Sequence, residues 1–259
     1  MIVSYLLPLC KSLLGPDAVA RCDDSLCEFR EKVLSLQPFV KRENFGCICD
    51  NDKGKPPFRQ TRGGKCRFCQ IEISMKIIKT PIEGLLVIEP DVFGDARGFF
   101  QETYNEERYR AAGIEARFVQ DNMSSSAYGV VRGLHFQRPP YTQAKLVQCI
   151  EGRVLDVAVD LRYGSPAFGQ HFAVELSAEN HRQFFIPRGF AHGFSVLSEH
   201  AVFSYKCDNL YHPEADGGIL LTDPALGIDW HIPADKMILS EKDKHHPLLR
   251  DMPHALFKM

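Results

Sequence analysis

From Met75 onward, apolar and polar residues alternate in short runs broken by Gly, Pro, Asn and Asp. Residues 154–161 are the clearest case. Leu155, Val157, Val159 and Leu161 face one way and Asp156, Ala158 and Asp160 the other, which is the period of a strand. Phe172, Val174 and Leu176 repeat that period, as do Val202 and Ser204 interleaved with Phe203 and Tyr205. Leu85 to Glu89, Gly98 to Tyr104 and Lys145 to Ile150 read as further strands. Glu151-Gly152 is expected to join Lys145–Ile150 to residues 154–161 as a tight hairpin. Only Glu106 to Ala112 reads as a clear helix. Many short strands with Gly/Pro turns and no alternating long helices predict an all-β sandwich or barrel. A cupin-type jelly-roll β-barrel with a few short helices suits this length, and the mouths of such barrels commonly hold ligands.

The pattern before Met75 is different. Residues 18–36 place Val19, Leu26, Phe29, Val33 and Leu34 at roughly helical spacing. After Pro38 the chain is polar and rich in Gly, Lys and Arg, with little to bury. Seven of the nine cysteines fall in this part: Cys10, Cys22, Cys27, Cys47, Cys49, Cys66 and Cys69. Four thiolates in the pairs Cys47-x-Cys49 and Cys66-x-x-Cys69 can in principle hold zinc tetrahedrally, although the first pair is tighter than the usual C-x2-C knuckle. The expected organisation is a Cys-rich, poorly structured or partly helical extension over 1–74 and a barrel domain over 75–259. A translation start at Met75 fits the same division.

Charge and length narrow the function classes. A net charge of −2 over 259 residues argues against general nucleic-acid binding, which needs basic surface to neutralise phosphates. No apolar run approaches the roughly 20 residues of a transmembrane helix. The apolar opening Met1 to Gly15 lacks a positive n-region and a small-residue cleavage site, so the expected location is cytoplasmic.

Several polar residues interrupt segments that ought to line a barrel. Arg132 and His135 break the apolar run Val131 to Gln137, and Gly133 between them permits close backbone approach. A lone interior histidine is ordinarily a hydrogen-bonded core residue. A metal cupin would carry a second histidine two positions on, but position 137 is Gln, which counts against an iron or zinc site. Lys145 opens a strand and would ordinarily be solvated. His192 sits in the Gly/Pro turn Ile186 to Phe194, Tyr205 lies mid-strand, Tyr211 follows in a turn, and Lys242-Asp243 would ordinarily be surface charge.

Together these clusters resemble one family. The stretches Asp95 to Glu102, Gln120-Asp121-Asn122, Arg132 to Gln137, Lys145-Leu146-Val147, Ile186 to Gly193 and Ser240 to Asp243 are similar, in order and spacing, to the dTDP-4-dehydrorhamnose 3,5-epimerases. The similarity runs from about Met75 to Leu249 and excludes residues 1–74. It implies a homodimeric cupin barrel, without metal or other cofactor, that acts on dTDP-4-dehydro-6-deoxy-D-glucose in dTDP-rhamnose biosynthesis. It further implies His135 as base, Asp243 as its orienting carboxylate, Tyr205 as acid on the opposite face, and Lys145 beside the keto oxygen. Arg97, Glu102, Gln120, Asn122, Arg132, His192 and Lys242 would contact nucleotide, diphosphate or sugar. Tyr211 falls where the family stacks an aromatic ring on thymine, and Asp216 stands where members often have Glu.

The residue types suit that chemistry. Imidazole, with an ordinary pKa of about 6.5, accepts a proton near neutral pH. An ammonium can hold the developing enolate oxygen, and a phenol can return a proton to the other face. Arginines suit a diphosphate through forked hydrogen bonds. Alternatives are an epimerase at one carbon or a keto-sugar isomerase on the same fold, a sugar-binding cupin without activity, and a metal-dependent cupin oxygenase, disfavoured by Gln137.

Overall fold

The computed structural model describes residues 75–253 and 256–258. The expected helix at 18–36 and the cysteine pairs Cys47/Cys49 and Cys66/Cys69 lie outside them.

Two antiparallel sheets carry the fold. The first has six strands: β1 (Met75–Lys79), β2 (Leu86–Pro90), β5 (Gln120–Ala127), β7 (Lys145–Glu151), β11 (Gln183–Ile186) and β13 (His200–Cys207), in the order β1-β2-β11-β7-β13-β5. The second has five: β6 (Val131–Gln137), β8 (Arg153–Asp160), β10 (His171–Ser177), β12 (Phe190–Val196) and β14 (Asp216–Gly218), in the order β10-β8-β12-β6-β14. A separate hairpin is formed by β3 (Val92–Asp95) and β4 (Gly98–Gln101). The expected helix is α1 (Glu106–Ala111), opened by the Asn105 side chain accepting from the Arg108 amide and by Glu106 and Glu107 in its first turn. This is a cupin-type jelly roll.

One expectation fails. β7 and β8 do not form a hairpin. β7 pairs with β11 and β13, and β8 with β10 and β12, so Glu151-Gly152 is a corner at which the chain changes sheets. Gly152 sits at φ +74°, and a Cβ there would lie 2.0 Å from the His200 carbonyl oxygen. Hairpin turns and sheet-to-sheet corners draw on the same small, φ-positive residues, so the dipeptide alone does not separate them.

The space between the sheets is filled by Val147, Cys149, Phe184, Ile186 and Phe203 from the first and by Val154, Ala158, Leu176, Phe194 and Val196 from the second. Phe194 and Phe203 stack across it with ring centroids 4.3 Å apart. The second sheet is also covered on its other side. Leu155, Val157 and Val159 pack there against Ile219, Leu221, Leu226, Trp230 and Phe257 from the C-terminal segment. β8 is therefore buried along nearly its whole length, and its polar side chains at Asp156 and Asp160 face the interior while the apolar set faces the outer layer. A strand clothed on both faces does not need alternation to keep water off.

β6 and β12 approach unusually closely. A Cβ at Gly133 would lie 2.6 Å from the Gly193 Cα, and Gly133 has φ +136°. At this point the register slips: His135 faces His192 and Arg132 faces Phe194, so three residues of β6 span two of β12. The bulge brings Arg132 and His135, which a regular strand would point to opposite sides, onto one interior face.

Candidate active site

The interior face of the six-stranded sheet presents Gln120, Asn122, Lys145 and Tyr205. Register fixes this. Tyr205 is opposite both Asn122 and Val147, while Cys207 is opposite both Gln120 and Lys145, and Val147 and Phe203 on the same face belong to the interior core. Lys145 Nζ lies over the Tyr205 ring, 5.9 Å from its centroid. Burial lowers the Lys145 ammonium from its ordinary value, opposed by Cys207, Asp156 and Asp216. Burial, aided by Cys207, raises the Tyr205 phenol, with Arg132 opposing. A phenol so raised keeps its proton at neutral pH, as a proton donor must.

The facing sheet presents Arg132, His135 and His192. His135 Nε2 and Asp243 Oδ1 are 2.7 Å apart. Asp243 is buried, and burial acts to raise its carboxyl. The hydrogen bond and charge of His135, with bonds from the Ser240 hydroxyl and the Gly133 amide, outweigh that and hold it below the ordinary carboxylate value. The neutral ring then donates from Nε2, which leaves Nδ1 as the free acceptor. His192 Nε2 is 2.9 Å from Asp156 Oδ2, deep in the interior. Burial lowers the His192 imidazole and raises the Asp156 carboxyl. Arg132 donates from Nε and Nη2 to the Ser126 hydroxyl, at 3.2 and 3.1 Å.

Loops complete the mouth. The Tyr211 amide donates to Gln120 Oε1 at 2.9 Å, and Gln120 Nε2 donates to Asn122 Oδ1 at 3.0 Å. Asp216 accepts from the Tyr211 hydroxyl at 3.4 Å and pairs with Lys242. Lys242 and Asp243, adjacent in sequence, thus engage different partners. Gln137 is bonded to the backbone at both ends: its Nε2 donates to the Tyr141 and Leu210 carbonyls and its Oε1 accepts from the His212 amide. These bonds tie the Gln137 side chain to the backbone of the loops beside it.

Two expected contact residues are not gathered in. Arg97 lies on the exposed β3–β4 hairpin, paired with Asp95, and Glu102 pairs with Arg108 of α1.

Sequence reasoning missed two residues. Asp156 was legible only as the polar half of an alternating strand, and nothing local says that this half faces inward. His246 packs edge-on to His135 with ring centroids 5.7 Å apart, its Nε2 3.8 Å from Asp243 Oδ1. The run Lys244-His245-His246-Pro247 carries no signal separating this histidine from its exposed neighbour. Among the described residues, no helix is long and apolar enough to cross a membrane.

Comparison with known proteins identifies the family. The family model described as dTDP-4-dehydrorhamnose 3,5-epimerase matches residues 79–251. A dTDP-4-dehydrorhamnose 3,5-epimerase of Methanothermobacter thermautotrophicus is 52% identical over 179 residues, which is 69% of this chain and 96% of that protein. A crystal structure of the Elizabethkingia anophelis NUHP1 dTDP-4-dehydrorhamnose 3,5-epimerase matches with a TM-score of 0.66 and 57% identity, covering 68% of this chain and 97% of that one. A dTDP-6-deoxy-D-glucose-3,5-epimerase of Legionella pneumophila Philadelphia 1, solved in complex with dTDP-4-keto-L-rhamnose, matches with a TM-score of 0.69 and 52% identity over 71% of this chain and 98% of its own.

Proposed function

The chain belongs to the dTDP-4-dehydrorhamnose 3,5-epimerase family, and on that premise we propose how its residues carry out the isomerisation. The substrate is dTDP-4-dehydro-6-deoxy-D-glucose, and the product, dTDP-4-dehydro-L-rhamnose, has inverted configuration at carbons 3 and 5. His135 Nδ1 takes a carbon-bound proton beside the ketone. Asp243 fixes the tautomer through Nε2 and stabilises the imidazolium that forms. The carbon acid is far weaker than imidazolium, so the base needs help at the oxygen. Lys145 holds the enolate there, and one such donor in a water-poor site contributes about 2.7–4 kcal/mol. Tyr205 returns a proton to the opposite face. His135 then gives its proton to solvent and Tyr205 regains one from it, and the same cycle at the second carbon completes the inversion.

The observation that carries this reading is the 2.7 Å pairing of His135 with Asp243 on the sheet facing the strands of Tyr205 and Lys145. Arg132, Gln120, Asn122, His192, Asp216, Lys242 and Tyr211 surround the nucleotide sugar, with Tyr211 stacked on the base.

The enzyme is read as a cytoplasmic homodimer. Phe93, Phe99 and Phe100 leave an apolar hairpin 41%, 65% and 53% exposed, a patch that a second copy would cover. Arg97 and Glu102 would approach a substrate from this side of the molecule. Cys149 and Cys207 are buried and free, as suits a reducing compartment.

The test is turnover of the keto sugar nucleotide in deuterated water. Label at carbons 3 and 5 is expected. Label at one carbon makes the chain a mono-epimerase, and label at neither makes it a binder.

A further inference from the structure

We propose that His135, Asp243 and His246 form an inhibitory zinc site, in which the metal captures the base and switches the enzyme off. Among the described residues, these three are the group whose potential ligand atoms cluster closely enough for a metal, all within 4.8 Å of one another. Tetrahedral zinc with ligands at about 2.0–2.2 Å needs them roughly 3.3 Å apart. The Asp243 Oδ1 distances to His135 Nε2 and His246 Nε2, 2.7 and 3.8 Å, bracket that value. Rotation of the His246 ring toward Asp243 and His135, whose ligand atoms lie within 4.8 Å of its own, closes the site.

A second observation points to a ligand independently. His246 Nε2 is buried and has no hydrogen-bond partner, the one such side-chain atom among the described residues. The side chain is only 10% exposed, so water does not supply the missing partner freely, and the orphan nitrogen lies beside the carboxylate. A buried imidazole nitrogen next to a carboxylate and a second imidazole is a donor set that suits zinc.

The consequence follows from imidazole chemistry. In the free enzyme the neutral His135 ring carries its proton on Nε2, bonded to Asp243, and leaves Nδ1 open. Zinc on Nε2 takes that position, so the single ring proton moves to Nδ1. No proton is lost, but Nδ1 can no longer accept one from carbon. Asp243 becomes a metal ligand in the same event and stops orienting the ring. Inhibition rests on His135 being the base, as proposed above, whereas metal binding does not.

The test uses the full-length chain with buffered Zn²⁺ in turnover assays and Co²⁺ as a spectroscopic probe. Cobalt at this site gives tetrahedral nitrogen/oxygen ligand-field bands, distinguishable from the thiolate charge-transfer bands that cysteine ligands would add. Zinc is expected to abolish turnover reversibly, with chelator restoring it. Measured against the variant's own zinc-free rate, His246→Ala is expected to raise the inhibitory zinc concentration at least roughly 10–100-fold. The nitrogen/oxygen cobalt bands should vanish with it. His246→Gln, which keeps the volume, serves as the second variant and should behave alike. Equal zinc sensitivity in both variants, or cobalt bands that survive them, would overturn the site. Cobalt bound at the site with turnover intact would overturn the inhibition, and the deuterium label in a His135 variant then decides separately whether His135 is the base.

Discussion

His135 and His192 are register partners on adjacent antiparallel strands, yet they bond to different carboxylates, Asp243 and Asp156. The His135 side chain is 32% exposed and that of His192 is 7% exposed. One imidazole is open to a ligand, and the other is enclosed. His135→Ala should therefore lower kcat by about 10²–10⁴ while calorimetry finds dTDP binding intact. Unchanged turnover would remove His135 as the base.

Tyr205→Phe keeps the ring that packs against the interior cluster and removes only the hydroxyl. Proton abstraction should continue and delivery to the second face should fail. In deuterated water the variant is expected to wash label into substrate while inverted product forms about 10²–10⁴ times more slowly. Loss of wash-in together with product would assign Tyr205 to abstraction instead.

Asp243→Asn tests the orienting carboxylate twice. Turnover should fall on the order of 10²–10⁴ as the ring loses its fixed tautomer. Stability carries its own sign. The folded carboxyl lies below its ordinary value of 3.8, so its contribution is complete above that value and is lost as the pH falls through the lowered one. Thermal melts at decreasing pH should drop less steeply below about pH 4 in the variant than in the wild type.

Lys145 sets an alkaline limit. Its ammonium is lowered from 10.5 by burial, so enolate stabilisation should disappear as the pH rises through that lowered value. Lys145→Ala should reduce kcat by about 10²–10³ and erase that limb from the pH–rate profile. A limb that persists unchanged belongs to another group.

The exposed hairpin predicts assembly. Phe99→Asp, at the residue with the largest exposure on that hairpin, should shift the mass measured by light scattering from dimer to monomer, with the barrel still folded by circular dichroism. A wild-type chain that is already monomeric would sink the dimer.

The sequence disclosed strands more readily than their partners. Period-two runs located β8, β10 and β13 because side-chain alternation is local. Which sheet each strand joins is not local, so Glu151-Gly152 read as a hairpin rather than a corner. The bulge at Gly133 escaped for a related reason: it is visible only in the slip between β6 and β12, yet it decides that Arg132 and His135 share a face. The proposed catalytic set came from resemblance over several motifs, and the structure brings His135 and Asp243 together, 108 positions apart. Composition alone would have left Lys145 and Asp243 as surface charge. Asp156 and His246 were hidden because their meaning lies in what surrounds them.

The C-terminal segment that clothes the outside of the five-stranded sheet also delivers Asp243, 108 positions after the histidine it serves. A polypeptide halted before residue 240 would keep Ile219, Leu221, Leu226 and Trp230 against the outer face of that sheet but would leave His135 without its carboxylate and the outer layer without Phe257. Proteolysis just ahead of Ser240 would therefore strip His135 of Asp243 while most of the outer apolar layer stayed in place, parting the chemistry from the architecture.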